Sequence, residues 1–188
     1  MSRWQPNARE RLAEAALELY GERGFEQTTV AGIAGRAGLT ERTFFRHYTD
    51  KREVLFAGAR DLEELFVRAV AGAPASAAPI DALAAGLEAV AEAFAGRRAF
   101  ARRRQAVIAA NAELQERELV KLASLAAALA GALRGRGVGE PAASLTAEAG
   151  VAVFKIGFER WIGADEERDM APLLRESLAE LRAVAAGG

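Results

Sequence analysis

Apolar residues along this 188-residue chain recur at spacings of three and four, and that period predicts helices from end to end. Over residues 8–20, Leu12, Ala15, Ala16 and Leu19 form one stripe separated by Arg and Glu, and Gly21 and Gly24 supply the stop. Thr28 or Thr29 is placed to cap a second helix over VAGIAGRAG. Gly38 breaks it, Leu39 is apolar, and Thr40 caps a short third helix, ERTFFRHY. Asp50 with Glu53 fits a capping box, which opens a fourth helix running to about Val70. A Pro/Ala/Ser loop follows at 71–79, and further helices are expected near 80–95, 99–111, 113–134, 142–162 and 169–186. That makes nine helices, with no strand pattern and no internal repeat of fixed period.

The densest local signal is Thr28–Tyr48. Two helices that cross closely need a small residue at the contact, a tight turn and an apolar wedge between them. Ala34, Gly38 and Phe44 meet those needs, and Ile33, Ala37 and Leu39 complete a small core. Glu41, Arg42, Thr43 and Arg46 are then left to face outward from a helix-turn-helix.

Composition changes this picture in two ways. The chain is 51% hydrophobic and rich in Ala and Leu, so it has material for a helical core. Its net charge of −1 does not by itself announce a nucleic-acid binder, although residues 1–52 hold nine Lys/Arg against seven Asp/Glu. There is no Cys and a single His, His47, which argues against thiolate chemistry, a metal site and a His-based catalytic pair. No metal or cofactor is expected. No long apolar run suggests a membrane span and no apolar signal core opens the chain, so a cytoplasmic location is expected.

The stretch TTVAGIAGRAGLTERTFFRHYTDKREVLF resembles the signature of TetR-family transcriptional regulators. The resemblance implies an all-α, nine-helix fold. Residues 1–50 are then a helix-turn-helix DNA-binding domain, and residues 51–188 a ligand-binding and dimerisation domain. It implies a double-stranded operator as partner, a homodimer, and repression relieved by a small molecule. Carried onto this chain, Arg42 and Thr43 stand where such proteins read bases, with Glu41 beside them. Thr28 or Thr29, Thr40, Arg46, His47 and Lys51 stand where they hold the phosphate backbone. Phe45 departs from the Tyr common at its position, so a phenol-to-phosphate hydrogen bond is missing there.

Two late helices mix small and bulky apolar residues, as a helix seam requires. Val153, Gly157, Phe158, Trp161, Leu174, Leu178 and Leu181 are the candidates for a subunit interface. Phe94, Phe100, Val107, Ile108, Leu122, Leu125 and Phe154, with Asn111 for polarity, are the candidates for an apolar effector pocket. The cluster Arg97, Arg98, Arg102, Arg103 and Arg104 reads either as a solvated face paired with Glu or as a cationic mouth, with Arg103 and Arg104 facing the effector. The run from Arg104 to Ala143 is also similar to the C-terminal domain of mycofactocin-system regulators, which implies an acyl-CoA effector. Two other classes remain as alternatives: an enzyme, against which the missing nucleophile and phosphate loop argue, and a helical ligand-binding or adaptor protein with no operator.

Overall fold

A computed structural model of the chain describes residues 7–164 and 168–187. Ten helices are present among them and no strand. They fall into two compact units: residues up to Gly58 together with Arg103–Glu118, and Ala59–Arg102 together with the residues from Leu119 onward.

The first unit begins with α1 (Ala8–Arg23), α2 (Val30–Arg36), α3 (Glu41–His47) and α4 (Glu53–Phe56). Each of the first three helices starts at a side-chain cap. Asn7 accepts from the Glu10 amide at 2.9 Å, Thr29 from Gly32 at 3.1 Å and Thr40 from Thr43 at 3.2 Å. Gly24, at φ 81°, ends α1 by returning its amide to the Tyr20 carbonyl. Leu12, Leu19, Ile33, Ala34 and Phe44 form the apolar centre, and α1 packs against α2, α3 and α4.

The fourth helix expected from Asp50 to Val70 is divided. Helix α4 stops at Phe56, and α5 (Ala59–Gly72) begins after a two-residue break at Ala57–Gly58. Carbonyls on either side of the break accept from guanidinium groups. Arg104 Nε donates to Leu55 O at 2.6 Å, and Arg9 donates to Ala57 O. Together α4 and α5 fill the place of the single helix expected, so the nine-helix order stands.

The second unit is built on α5, α6 (Pro79–Ala93), α9 (Ala142–Gly163) and α10 (Met170–Ala185). Helix α7 (Arg98–Ala109) and helix α8 (Ala112–Gly135) each contribute to both units. Close approach is made at glycines. A Cβ on Gly86 would overlap the Phe66 ring, one on Gly150 the Leu83 side chain, and one on Gly157 the Leu174 side chain. Arg136 on α8's C-terminal side fastens the loop before α6, donating to the carbonyls of Ala73 at 2.6 Å and Pro74 at 2.8 Å.

One expectation is corrected by this packing. Val153, Gly157, Trp161, Leu174 and Leu178, proposed as a subunit seam, are buried inside the protomer's own core, with Phe158 and Leu181 half-buried against it. The seam those residues form is between α9 and α10 of one chain. No helix among the described residues is long and apolar enough to cross a membrane.

Candidate nucleic-acid interface

Helix α3 is two-faced. Phe44 is fully buried and its ring lies 5.5 Å from that of Tyr48, which is also buried. Glu41, Arg42, Phe45, Arg46 and His47 are exposed. Arg42 and Arg46 have no carboxylate partner among the described residues. Thr43 is half-buried, and its hydroxyl lies 3.1 Å from that of Thr40, so both hydroxyls take part in the helix cap. The outward face is therefore Glu41, Arg42, Phe45 and Arg46, at the spacing of one side of a helix.

The turn into α3 is fixed by Gly38, at φ 65°, which lies in the left-handed region that side chains avoid. Arg11 on α1 donates to the Ala37 carbonyl beside it. The exit from α3 is fixed twice: Tyr48 donates to Arg9 O at 3.0 Å, and Tyr20 donates to Lys51 O at 2.6 Å. Burial, with a smaller contribution from the charge of Asp50, pushes the Tyr20 hydroxyl above the ordinary phenol range. Asp50 accepts from the amides of Arg52 at 2.8 Å and Glu53 at 3.1 Å and so starts α4. Burial works against its charge, but the Arg52 guanidinium and those two amides together hold its carboxyl below the usual range.

Two residues expected at phosphate point elsewhere. Thr28 is buried and donates to the carbonyls of Gly24 at 2.8 Å and Leu19 at 3.2 Å, which leaves Thr29 as the exposed cap of α2. Lys51 directs its ammonium at three carbonyls, those of Phe25 (2.8 Å), Thr28 (3.1 Å) and Glu26 (3.2 Å), and sits 4.4 Å from the Phe25 ring centroid. An ammonium has three donors. All three close the loop between α1 and α2.

The expected cationic mouth is also engaged. Arg103 pairs with Glu14 of α1 at 2.6 Å. Arg104 is half-buried, pairs with Glu118 at 3.1 Å and lies over the Phe56 ring. Burial pulls its pKa down and Glu118 opposes that. Arg52 with Glu113, and Arg117 with Glu53, add two further pairs within the same unit. Of the other residues expected around an effector, Val107, Ile108 and Asn111 also belong to the first unit. Ile108 is buried there, and Asn111 donates to Val107 O at 2.7 Å. Phe94, Phe100, Leu122, Leu125 and Phe154 belong to the second. There Phe94, Phe154, Phe158 and Trp161 form an aromatic cluster with ring centroids 5.6–6.3 Å apart.

Residues 12–57 match the family model for bacterial regulatory proteins of the tetR family, and residues 77–186 match that for the MftR C-terminal domain. The chain belongs to the TetR family. Members of that family are bacterial regulatory proteins, and this chain is one of them. The regulator TcmR of Streptomyces glaucescens is 38% identical over 82 residues, a stretch that is 44% of this chain and 36% of that protein, so the chain spans little more than a third of that relative's length. FadR of Bacillus subtilis, solved in complex with stearoyl-CoA, superposes with a TM-score of 0.62 at 20% identity, covering 92% of this chain and 96% of that one. FadR of Thermus thermophilus, a repressor solved with lauroyl-CoA, has a TM-score of 0.50 at 27% identity, covering 93% of each chain.

The bond from Arg11 to the Ala37 carbonyl is not foreseen from the sequence. Arg11 sits in the apolar stripe of α1, one turn before Ala15, and a lone cation in such a stripe is the signal that a buried carbonyl awaits it. For this regulator, Lys51→Met should lower stability by about 2 kcal/mol, since three carbonyls lose a charged donor. Urea unfolding at fixed protein concentration measures this. Unchanged stability with a smaller salt dependence of DNA binding would return Lys51 to the phosphate surface.

Proposed function

We propose that this TetR-family chain binds a pseudo-palindromic operator as a cytoplasmic homodimer and is released from it by an acyl-CoA-like effector. DNA binding is assigned to residues 1–50, and effector and subunit contacts to residues 51–188. The observation that carries the reading is the outward face of α3, where Arg42 and Arg46 lack carboxylate partners although most other arginines of the first unit are bonded within it. An unpaired guanidinium on a helix that protrudes is suited to a guanine edge or a phosphate. Arg42 takes the base-reading role, with Glu41 beside it. Arg46, His47 and the cap residues Thr29 and Thr40 take the backbone role.

The subunit contact is assigned to the other face of α9. Leu145 (66% exposed) and Ile156 (51% exposed) bracket Ala149 and Ala152 in one stripe, an unusual apolar weight on a surface. The stripe leads to Arg160, which pairs with Glu176 of α10 at 2.6 Å, and Ala179 and Ala183 continue that flank. A second copy bringing the same two helices would form a four-helix bundle. The effector class draws on the MftR C-terminal match, on the acyl-CoA complexes of the two FadR proteins, and on the aromatic cluster around Phe94 and Phe154. A ligand releases DNA only by its differential affinity for the two packings.

One titration series tests the DNA reading, using a duplex selected from a random library at several salt concentrations. Arg42→Ala should cost about 1–3 kcal/mol and relax one base position, while Arg46→Ala should weaken all sequences alike and reduce the salt slope by about 1. Added palmitoyl-CoA should release the wild-type protein. Equal behaviour of the two variants overturns the assigned roles, and indifference to palmitoyl-CoA removes the effector class. Sedimentation tests the dimer: Ile156→Glu should yield monomers that bind a half-site only weakly, and an unchanged dimer places the interface elsewhere.

A further inference from the structure

Of the exposed large apolar side chains among the described residues, Phe45 is the one in the first unit, and it is 56% exposed. It is not a loose ring. It stands edge-on to the buried Phe44, with centroids 5.5 Å apart and planes at 83°, so a fixed neighbour limits its rotamers. Along α3 it follows Glu41 and Arg42 by four and three residues, so those two side chains are its neighbours on the helix face, and Arg46 comes next in the chain on the flank beside Arg42.

An exposed ring costs free energy in the unbound protein, and what offsets that cost is apolar surface on the partner. The partner assigned to this face is a DNA major groove, whose base edges are donors and acceptors with one apolar exception, the 5-methyl group of thymine. Cytosine lacks that methyl. Thr43, which the resemblance sets among the base-reading residues, is half-buried and tied to Thr40, so it is poorly placed to reach a base edge.

We propose that Phe45 is a specificity-determining residue that selects thymine through its 5-methyl group, one base per half-site. This rests on the reading of α3 as the DNA-binding helix. Arg42 reads a polar base edge and Arg46 holds the backbone, and Phe45 adds recognition of an apolar methyl that a hydrogen bond cannot supply.

The test uses the duplex recovered by selection, with each thymine replaced singly by deoxyuridine, which deletes the methyl and leaves Watson–Crick pairing unchanged. For the wild-type protein, one thymine in each half-site should show a loss of about fourfold, the value of one buried methyl. In Phe45→Ala that loss should vanish, with binding still salt-dependent. Phe45→Tyr keeps the ring and should keep the loss, so it serves as the folded control, and thermal melting checks both variants. A deoxyuridine penalty that is absent throughout, or that persists undiminished in Phe45→Ala, overturns the proposal. If the wild-type protein retains no duplex during selection, the DNA-binding reading itself has failed instead.

Discussion

A helix of seven residues has no stability of its own in water, so everything α3 presents is held in place by its surroundings. Phe44 is driven into the core beneath it, Gly38 supplies a backbone angle that other residues resist, and Arg11 and Lys51 satisfy carbonyls that the turns leave open. Function depends on this constraint directly. The outward residues make few contacts of their own, and their direction is inherited from the buried side of the same helix.

The cations of the first unit make the same point. Arg36 lies between Glu18 and Glu22, and Glu22 in particular drives its pKa above the usual range. Arg103 and Arg104 take Glu14 and Glu118, and Arg52 takes Asp50 and Glu113. The groove on the α1 side, about 550 Å³ and lined by Glu10, Glu14, Glu18, Arg11 and Arg36, carries more carboxylates than guanidiniums. Two of those carboxylates are themselves paired, Glu14 with Arg103 and Glu18 with Arg36, whereas the guanidiniums of Arg42 and Arg46 on α3 have no carboxylate partner among the described residues. A protein of net charge −1 thus holds a local basic face, because pairing removes most other arginines from competition.

Much of this was legible in the residues. The caps Thr29 and Thr40, the turn at Gly38 and the wedge Phe44 follow from local rules, and local rules act over a few residues. What could not be read is partner choice. Apolar periodicity in α9 and α10 marks burial but not against what, so the pattern alone fits Val153, Gly157 and Leu174 to a second subunit although they pack within one. Lys51 and Arg104 illustrate the same gap, since a cation accepts carbonyl, carboxylate or phosphate, and only the fold decides which is near. Arg104, which bonds the Leu55 carbonyl beside the break at Ala57–Gly58, lies 46 or more residues away in sequence, and no window of helical pattern contains it.

The central claim is that the outer face of α3, held by its buried side, is where this chain meets DNA. Backbone amide chemical shifts of the full-length protein, recorded while a selected duplex is added, test it most directly. The account predicts shifts concentrated on Thr40–His47 and the start of α2, with the Glu10–Glu18 face of α1 silent. Shifts centred on that acidic face or on α9, with α3 unmoved, would contradict it.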